Sequence, residues 1–106
     1  MTRADAARII ERIRADEIRL HLSPHARQRL RTRHYSPHDV RTILKRHEIE
    51  TAPAWSEQHQ NFKVLLLGKC LEGRPTRLVL GLRENGPCVL VTIMIARDVP
   101  RMGKSK

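Results

Sequence analysis

The hydrophobic period of the chain changes near its middle, and this change limits the possible folds more than any other feature. Up to residue 48, apolar side chains recur at intervals of three and four, as on amphipathic helices. Three runs rich in Val, Leu and Ile follow, and such runs are typical of strands; they cover 61–71, 76–84 and 88–97. Asn85-Gly86 joins the last two runs, and Asn-Gly between apolar runs is a strong hairpin signal. The sequence therefore predicts a helical half followed by an antiparallel meander.

Start signals divide the helical half into three segments. Thr2 and Asp5 have the spacing of a capping box, an apolar stripe follows, and the helix is expected to end near Arg19. Ser-Pro-His then occurs twice, at Ser23–His25 and at Ser36–His38. Because Ser favours the N-cap and Pro the first helical position, each copy predicts the start of a further helix.

The segment between the helical half and the meander, residues 49–55, is either a fourth strand or an irregular linker. Pro53 within it argues against a central place in a sheet. The sequence therefore predicts one α+β domain over residues 1–98, in which two to three N-terminal helices pack on one face of a three- to four-stranded antiparallel meander. A basic tail over residues 99–106 contains Pro, Gly and Lys and is expected to fray.

Alternation with a period of two assigns the strand residues to two faces of the meander. The face expected against the helices is wholly apolar, and in the last strand it includes Val89, Val91 and Ile93. The opposite face combines apolar side chains with cations and no acid. These cations are either the rim of a face that packs under the linker or part of a shallow basic surface that holds RNA or a protein partner. They are Lys63, Lys69, Arg77 and Arg83.

The charge balance of the chain points to a polyanionic partner. Lys and Arg total 21 against 11 Asp and Glu, which gives a formal net charge of +10 and a pI near 11.0. Sixteen of the cations are Arg, the side chain suited to bidentate phosphate binding. Residues 19–46 concentrate the excess, with eight cations and a single acid, Asp39. We therefore expect RNA as a partner, although an acidic protein would satisfy the same charge.

The second predicted helix carries the residues most suited to chemistry. On a helical projection His25, Arg29 and Arg33 form one row beside the buried side. Arg27 and Arg31 lie on the other flank, where they are expected to bind nucleic acid. An imidazole beside guanidinium groups can cleave RNA without a metal, because His moves the proton of a 2′-hydroxyl and Arg stabilises charge on the phosphate. The alternative is that His25 only occupies a helix start and the Arg row is solvated.

Other classes of function find little support in the sequence. The longest apolar stretch, 88–96, is nine residues long, whereas a membrane span needs about 20. The N-terminus has no apolar signal segment, so the cytoplasm is the expected compartment. The histidine pairs 21/25 and 34/38 each cross a predicted helix start, and two cysteines cannot complete a zinc site. We therefore expect no metal and no other cofactor.

The segment Ser23–Arg33 resembles the opening helix of a family of small, uncharacterised bacterial domains. Its sequence, SPHARQRLRTR, matches the pattern Ser-x-His-Ala-x-x-Arg-(Met/Leu)-x-x-Arg, and the resemblance extends to a closing strand with Val91-Thr92-Ile93. Such domains resemble RelE-like and colicin-like ribonuclease toxins, in which helices pack on an antiparallel sheet whose opposite face holds RNA. The resemblance implies a set of candidate catalytic residues: His25, Arg29, Arg33 and Thr92.

The resemblance also implies a function. We expect an RNA-cleaving toxin of a bacterial toxin–antitoxin pair, which uses general acid–base catalysis without metal. Its expected partners are RNA and a small acidic protein of the antitoxin type. The alternative is a non-catalytic module that binds nucleic acid or an acidic protein. A neighbouring reading frame for a small acidic protein would favour the toxin.

Overall fold

Three helices and six strands make up residues 1–97, which are the residues that the computed structural model describes. The helices are α1 (Arg3–Arg14), α2 (Pro24–Thr32) and α3 (Pro37–Lys45). The strands are β1 (Leu20–Leu22), β2 (His47–Ile49), β3 (Ala54–Ser56), β4 (Asn61–Lys69), β5 (Pro75–Leu82) and β6 (Cys88–Ile95). The predicted basic tail, residues 99–106, lies outside the described residues.

The three predicted helix starts are confirmed by their N-caps. Thr2 and Asp5 form a capping box at α1, in which each residue bonds the backbone of the other. At α2 the hydroxyl of Ser23 accepts from the N–H three residues on, at 3.0 Å. At α3 Ser36 and Asp39 form a second capping box. Both serine caps are followed by a proline whose fixed φ suits the first helical position, so local sequence determines where these helices begin.

The sheet is mixed, which corrects the expectation of an antiparallel meander alone. β4, β5 and β6 form the predicted meander, but β1 pairs in parallel with β6, and helices and strands therefore alternate in the first half of the chain. The strand order is β1-β6-β5-β4-β2, with β3 also on β4. β1 has only three residues. Its parallel partner, β6, lies far along the chain, so no hairpin turn beside β1 marks it as a strand. Its strand character was therefore not visible in the sequence.

The segment after α3 forms an interrupted edge strand on β4. β2 and β3 both pair antiparallel with β4, and Pro53 falls in the interruption between them. The two sequence alternatives for residues 49–55, a fourth strand and an irregular linker, are therefore each correct for part of the segment.

A bulge in β6 corrects the predicted assignment of its faces. Val79 pairs with Thr92 and the next residue, Leu80, pairs with Leu90, which leaves Val91 as an extra residue. Since one extra residue exchanges the two faces of a strand, Cys88 and Leu90 are fully buried where Val89 and Val91 were expected. Beyond the bulge the predicted core face of the strand is correct, and Ile93 is fully buried as expected.

One apolar core joins all three helices to a single face of the sheet. The helices contribute Ile10, Leu30 and Ile43 among others, and alternate residues of β4, β5 and β6 complete the cluster. The largest fully buried strand side chains are Leu66, Leu78, Leu80, Leu82, Leu90 and Ile93. The other face of the sheet, called here the far face, lies away from the helices.

Candidate nucleic-acid interface

The first turn of α2 is attached to the bulge of β6. The Ser23 hydroxyl caps the helix and also donates to the carbonyl of Val91 at 2.9 Å. The backbone N–H of Ser23 donates to the carbonyl of Leu90 at 3.1 Å. These bonds hold the start of α2 at the sheet edge, so a side chain on its first turn projects from a rigid position.

His25 and Arg29 meet on the exposed side of this first turn. The guanidinium Nε of Arg29 donates to the imidazole Nε2 of His25 at 3.4 Å. A guanidinium can only donate, so Nε2 is the accepting atom of this contact. His25 is exposed and Arg29 half-buried. The structure therefore places an imidazole nitrogen next to a guanidinium on the first turn of α2.

Arg33 lies one turn further along and is the C-cap of α2. Its carbonyl accepts from the guanidinium of Arg74 at 3.3 Å, and that guanidinium also lies 4.3 Å from the ring centroid of Tyr35. Arg74 thus attaches the end of α2 to the start of β5. Arg74 was not among the predicted site residues, because a cation between the runs 61–71 and 76–84 carries no local sign of its contact with α2.

Thr92 is separated from the His25–Arg29 pair by the sheet. It pairs with Val79 next to the bulge, and its neighbour Ile93 is in the core beneath the helices. Successive strand residues face opposite sides, so Thr92 faces the far side. Of the four residues that the family resemblance singled out, the structure therefore places three on α2 and one across the sheet.

The cations expected to bind nucleic acid fall into two groups. Arg27 and Arg31 are exposed on α2, and Lys69 is exposed at the end of β4. Arg77 is only 14% exposed and forms a bidentate pair with Glu50, at 2.6 and 3.0 Å. The expectation of a far face without acid was therefore wrong, because the edge segment between β2 and β3 brings Glu50 onto it.

The remaining two far-face cations belong to one cluster. Lys63 donates to the amide oxygen of Asn61 at 2.8 Å and to Nδ1 of His59 at 3.0 Å. Arg83 donates to the carbonyls of Gln60 and His59, at 2.8 and 3.2 Å, and so fixes the turn that carries the imidazole. Burial lowers the pKa of Lys63. His59 was not recognised in the sequence, since its proximity to Lys63 depends on the conformation of the turn.

Burial and the bulge change which apolar side chains the far face presents. Leu67 is 3% exposed and Leu90 belongs to the core. Met94, at 38% exposed, is the one large apolar side chain among the described far-face residues that is clearly open to solvent. The far face is therefore a mixed surface, on which cations lie among half-buried apolar side chains such as Leu65, Val79 and Val89.

Two further observations concern metals and membranes. No three His, Cys, Asp or Glu side chains within residues 1–97 cluster closely enough to hold a metal ion. None of the helices in that range is long and apolar enough to cross a lipid bilayer.

Comparison with known proteins identifies a family but no characterised relative. No curated protein and no solved structure matches the chain. The family model described as a domain of unknown function, DUF4258, matches residues 22–95. The matched range begins in β1, contains the His25 helix and ends in β6, whereas α1 precedes it. The chain therefore belongs to the DUF4258 family of domains of unknown function.

Proposed function

We propose that the protein is a metal-independent endoribonuclease that acts as the toxin of a bacterial toxin–antitoxin pair. The observation that carries the proposal is the His25–Arg29 pair, in which a ring nitrogen lies beside a guanidinium on a helix start that is bonded to β6. A general base and a phosphate-binding cation are the two groups that cleavage beside a 2′-hydroxyl requires. The resemblance of such domains to RelE-like and colicin-like ribonuclease toxins supports the same function.

In the proposed reaction Arg29 leaves the ring nitrogen and binds the scissile phosphate. Nε2 of His25 then takes the proton of the 2′-hydroxyl, and the 2′-oxygen attacks phosphorus. The bond to the 5′-oxygen breaks, and the products are a 2′,3′-cyclic phosphate and a 5′-hydroxyl that takes its proton from water. The imidazolium returns its proton to water at this exposed position. Arg33, one turn further along, binds the neighbouring phosphate.

The cations outside this pair are proposed to position the RNA. Arg27, Arg31 and Lys69 are exposed, and no ion pair engages them within the described residues. Lys63 and Arg83 form the far-face cluster, which presents positive charge without a carboxylate bonded to either cation. Such contacts bind the backbone without reading its sequence. Arg77 is assigned a structural role instead, because Glu50 already engages it.

The second Ser-Pro-His copy supplies a matched control for the experiment. His25 and His38 both occupy the second position of a Pro-initiated helix and both are exposed. With a short single-stranded RNA as substrate, His25→Ala should lose about 10² to 10⁴ in cleavage rate. His38→Ala should cleave as the parent does, and both variants should keep its melting temperature within a few degrees. EDTA should not change the rate.

The same assay decides against the proposal in two cases. Cleavage that survives His25→Ala intact, or that EDTA abolishes, rules out this mechanism.

RNA binding by the parent protein without any cleavage would favour the second candidate, a non-catalytic nucleic-acid-binding module. The far-face cluster favours that candidate, because its cations lie away from the His25–Arg29 pair. In that case Lys63→Ala should weaken RNA binding, whereas His25→Ala should not.

A further inference from the structure

A groove with an apolar floor lies on the helix side of the molecule, between the end of α1, β1 and α3. Its volume is about 410 Å³. The floor is aliphatic, and three of its side chains, Ile18, Leu20 and Leu22, are only half-buried although they pack against the core. The floor residues are Ile13, Ile18, Leu20, Leu22, Val40 and Leu44. A groove of this kind leaves apolar surface that a partner can cover.

The rim of the groove is cationic. Four cations line it, together with a single acid, Asp16. Asp16 lies 4.0 Å from Arg41, but both side chains are mostly exposed, so this pair contributes little. Arg14 is paired with Glu11 on its own helix. Arg19 and Lys45 are exposed and have no ion pair within residues 1–97, so their charge is available to a partner.

The side chains that line the groove indicate which kind of partner fits it. RNA could pair with the cationic rim, but its bases stack on aromatic rings, and no aromatic side chain among residues 1–97 lines the groove. A small inorganic anion would leave the aliphatic floor uncovered. An amphipathic helix that carries aliphatic side chains along one stripe and acids beside it matches both the floor and the rim.

We propose that this groove binds an acidic amphipathic helix of a separate protein. Aliphatic side chains at helical spacing would cover Leu20, Leu22 and Leu44, and carboxylates would pair with Arg19 and Lys45. The inference rests on the acidic partner in the proposed function and assigns it a surface, but it does not depend on RNA cleavage. It also places the acidic partner on the helix side, where the aliphatic floor and the cationic rim form one groove.

A designed helix tests the proposal directly. The probe is a labelled synthetic peptide with Leu at i, i+3, i+4 and i+7 and Glu elsewhere, and its binding to the full chain is followed by fluorescence anisotropy. Exchanging Arg19 and Lys45 for Glu should weaken binding by about tenfold or more. The matched control exchanges Arg27 and Arg31 on α2 for Glu, with the same change in net charge, and should bind within about twofold of the parent.

The location of binding provides a second, independent readout. Amide chemical-shift changes caused by the peptide should cluster at the α1–β1 segment, β1 and α3. Leu20→Glu places an acid on the floor and should abolish binding. Equal losses in the two charge-exchanged proteins, shift changes elsewhere, or no binding of the peptide would overturn the proposal. Identical shift changes with a fatty acid anion would favour a small anionic amphiphile as the occupant instead.

Failure of this inference can be told apart from failure of the proposed function. Arg19→Glu/Lys45→Glu should cleave at the parent rate once RNA is saturating, because neither residue is assigned to the cleavage site or to the proposed RNA-binding cations. The protein with Glu at positions 27 and 31 should bind the peptide but lose RNA affinity. A parent protein that binds the peptide and does not cleave RNA would refute the proposed function alone.

Discussion

At the scale of single residues, Asp39 links the start of α3 to the turn after β4. One carboxylate oxygen accepts from the N–H of Ser36 at 2.8 Å, and the other accepts from the N–H of Leu71 at 2.9 Å. Asp39 is only 6% exposed. Burial by itself would raise the pKa of this carboxyl, but the backbone bonds from Ser36 and Leu71, the Ser36 hydroxyl and the charge of Arg74 outweigh it. The net effect is a lowered pKa.

The lowered pKa of Asp39 makes the stability of the protein depend on pH. A carboxyl whose pKa is lower in the folded state stabilises the fold above its unfolded pKa, which is about 3.9. That contribution is lost as the pH falls through the folded pKa. Urea unfolding measured from pH 6 downwards should therefore show a loss of stability below about pH 4 that is smaller in Asp39→Asn. Parallel pH profiles for parent and variant would contradict this role.

Asp39→Asn should also lower stability at neutral pH. The variant keeps the shape of the side chain but loses the charge that strengthens its bonds to two backbone N–H groups. The expected loss in the free energy of unfolding is about 1–3 kcal/mol. Glu72→Gln, in the exposed turn nearby, serves as a control that should change stability by less than about 0.5 kcal/mol.

At the scale of elements, the close contact between α3 and β4 depends on a glycine. A Cβ at Gly68 would lie 2.8 Å from the carbonyl oxygen of Arg46 and 2.9 Å from Cγ2 of Ile43. The carbonyl belongs to the backbone that leads from α3 into β2, so it cannot move aside cheaply. Gly68→Ala should therefore destabilise the protein by about 1–3 kcal/mol in urea unfolding. Lys69→Ala, at the exposed next residue, should have little effect, and equal stability of the two variants would exclude the close contact as the cause.

The interrupted edge strand is held to the far face by the Glu50–Arg77 pair. Both side chains are mostly buried, at 20% and 14% exposed, and removing one partner leaves the other charge uncompensated. A double-mutant cycle with Glu50→Gln and Arg77→Gln should give a coupling free energy of about 0.5–3 kcal/mol. Additive effects of the two substitutions would show that the two side chains act independently.

At the scale of the whole molecule, the net charge of +10 is expected to favour binding to a polyanion. If about four phosphates are neutralised, log K for single-stranded RNA should fall with log salt at a slope of roughly −3. A salt-independent affinity, or no binding at low ionic strength, would remove the case for a polyanionic partner.

Cations in different parts of the molecule should contribute unequally to that affinity. Substituting Arg29 or Arg33 by Ala should weaken RNA binding more than substituting Arg3 or Arg8. The structure supplies a reason, because Arg3 already donates to the carbonyls of Ile49 and Glu50. Arg8 is likewise paired with Asp5. Equal effects of all four substitutions, measured at one salt concentration, would indicate diffuse attraction without a defined surface.

The features that the sequence determined by itself are local ones. The three helix starts depend on side chains that bond backbone groups three residues away, as at Ser23 and Ser36. The meander of β4, β5 and β6 depends on short connections between neighbouring runs. The His25–Arg29 pair is separated by one helical turn, so the helix alone brings the two side chains together.

The features that involve residues distant in the chain were decided by the tertiary structure. β1 becomes a strand only because β6 offers it a parallel edge, and the extra residue at Val91 changes which side chains of β6 reach the core. Glu50 reaches Arg77 only after the edge segment pairs with β4. The groove between α1, β1 and α3 likewise depends on how three separate elements pack. Such contacts cannot be predicted from local sequence, because they stabilise the fold only after segments distant in the chain have been brought together.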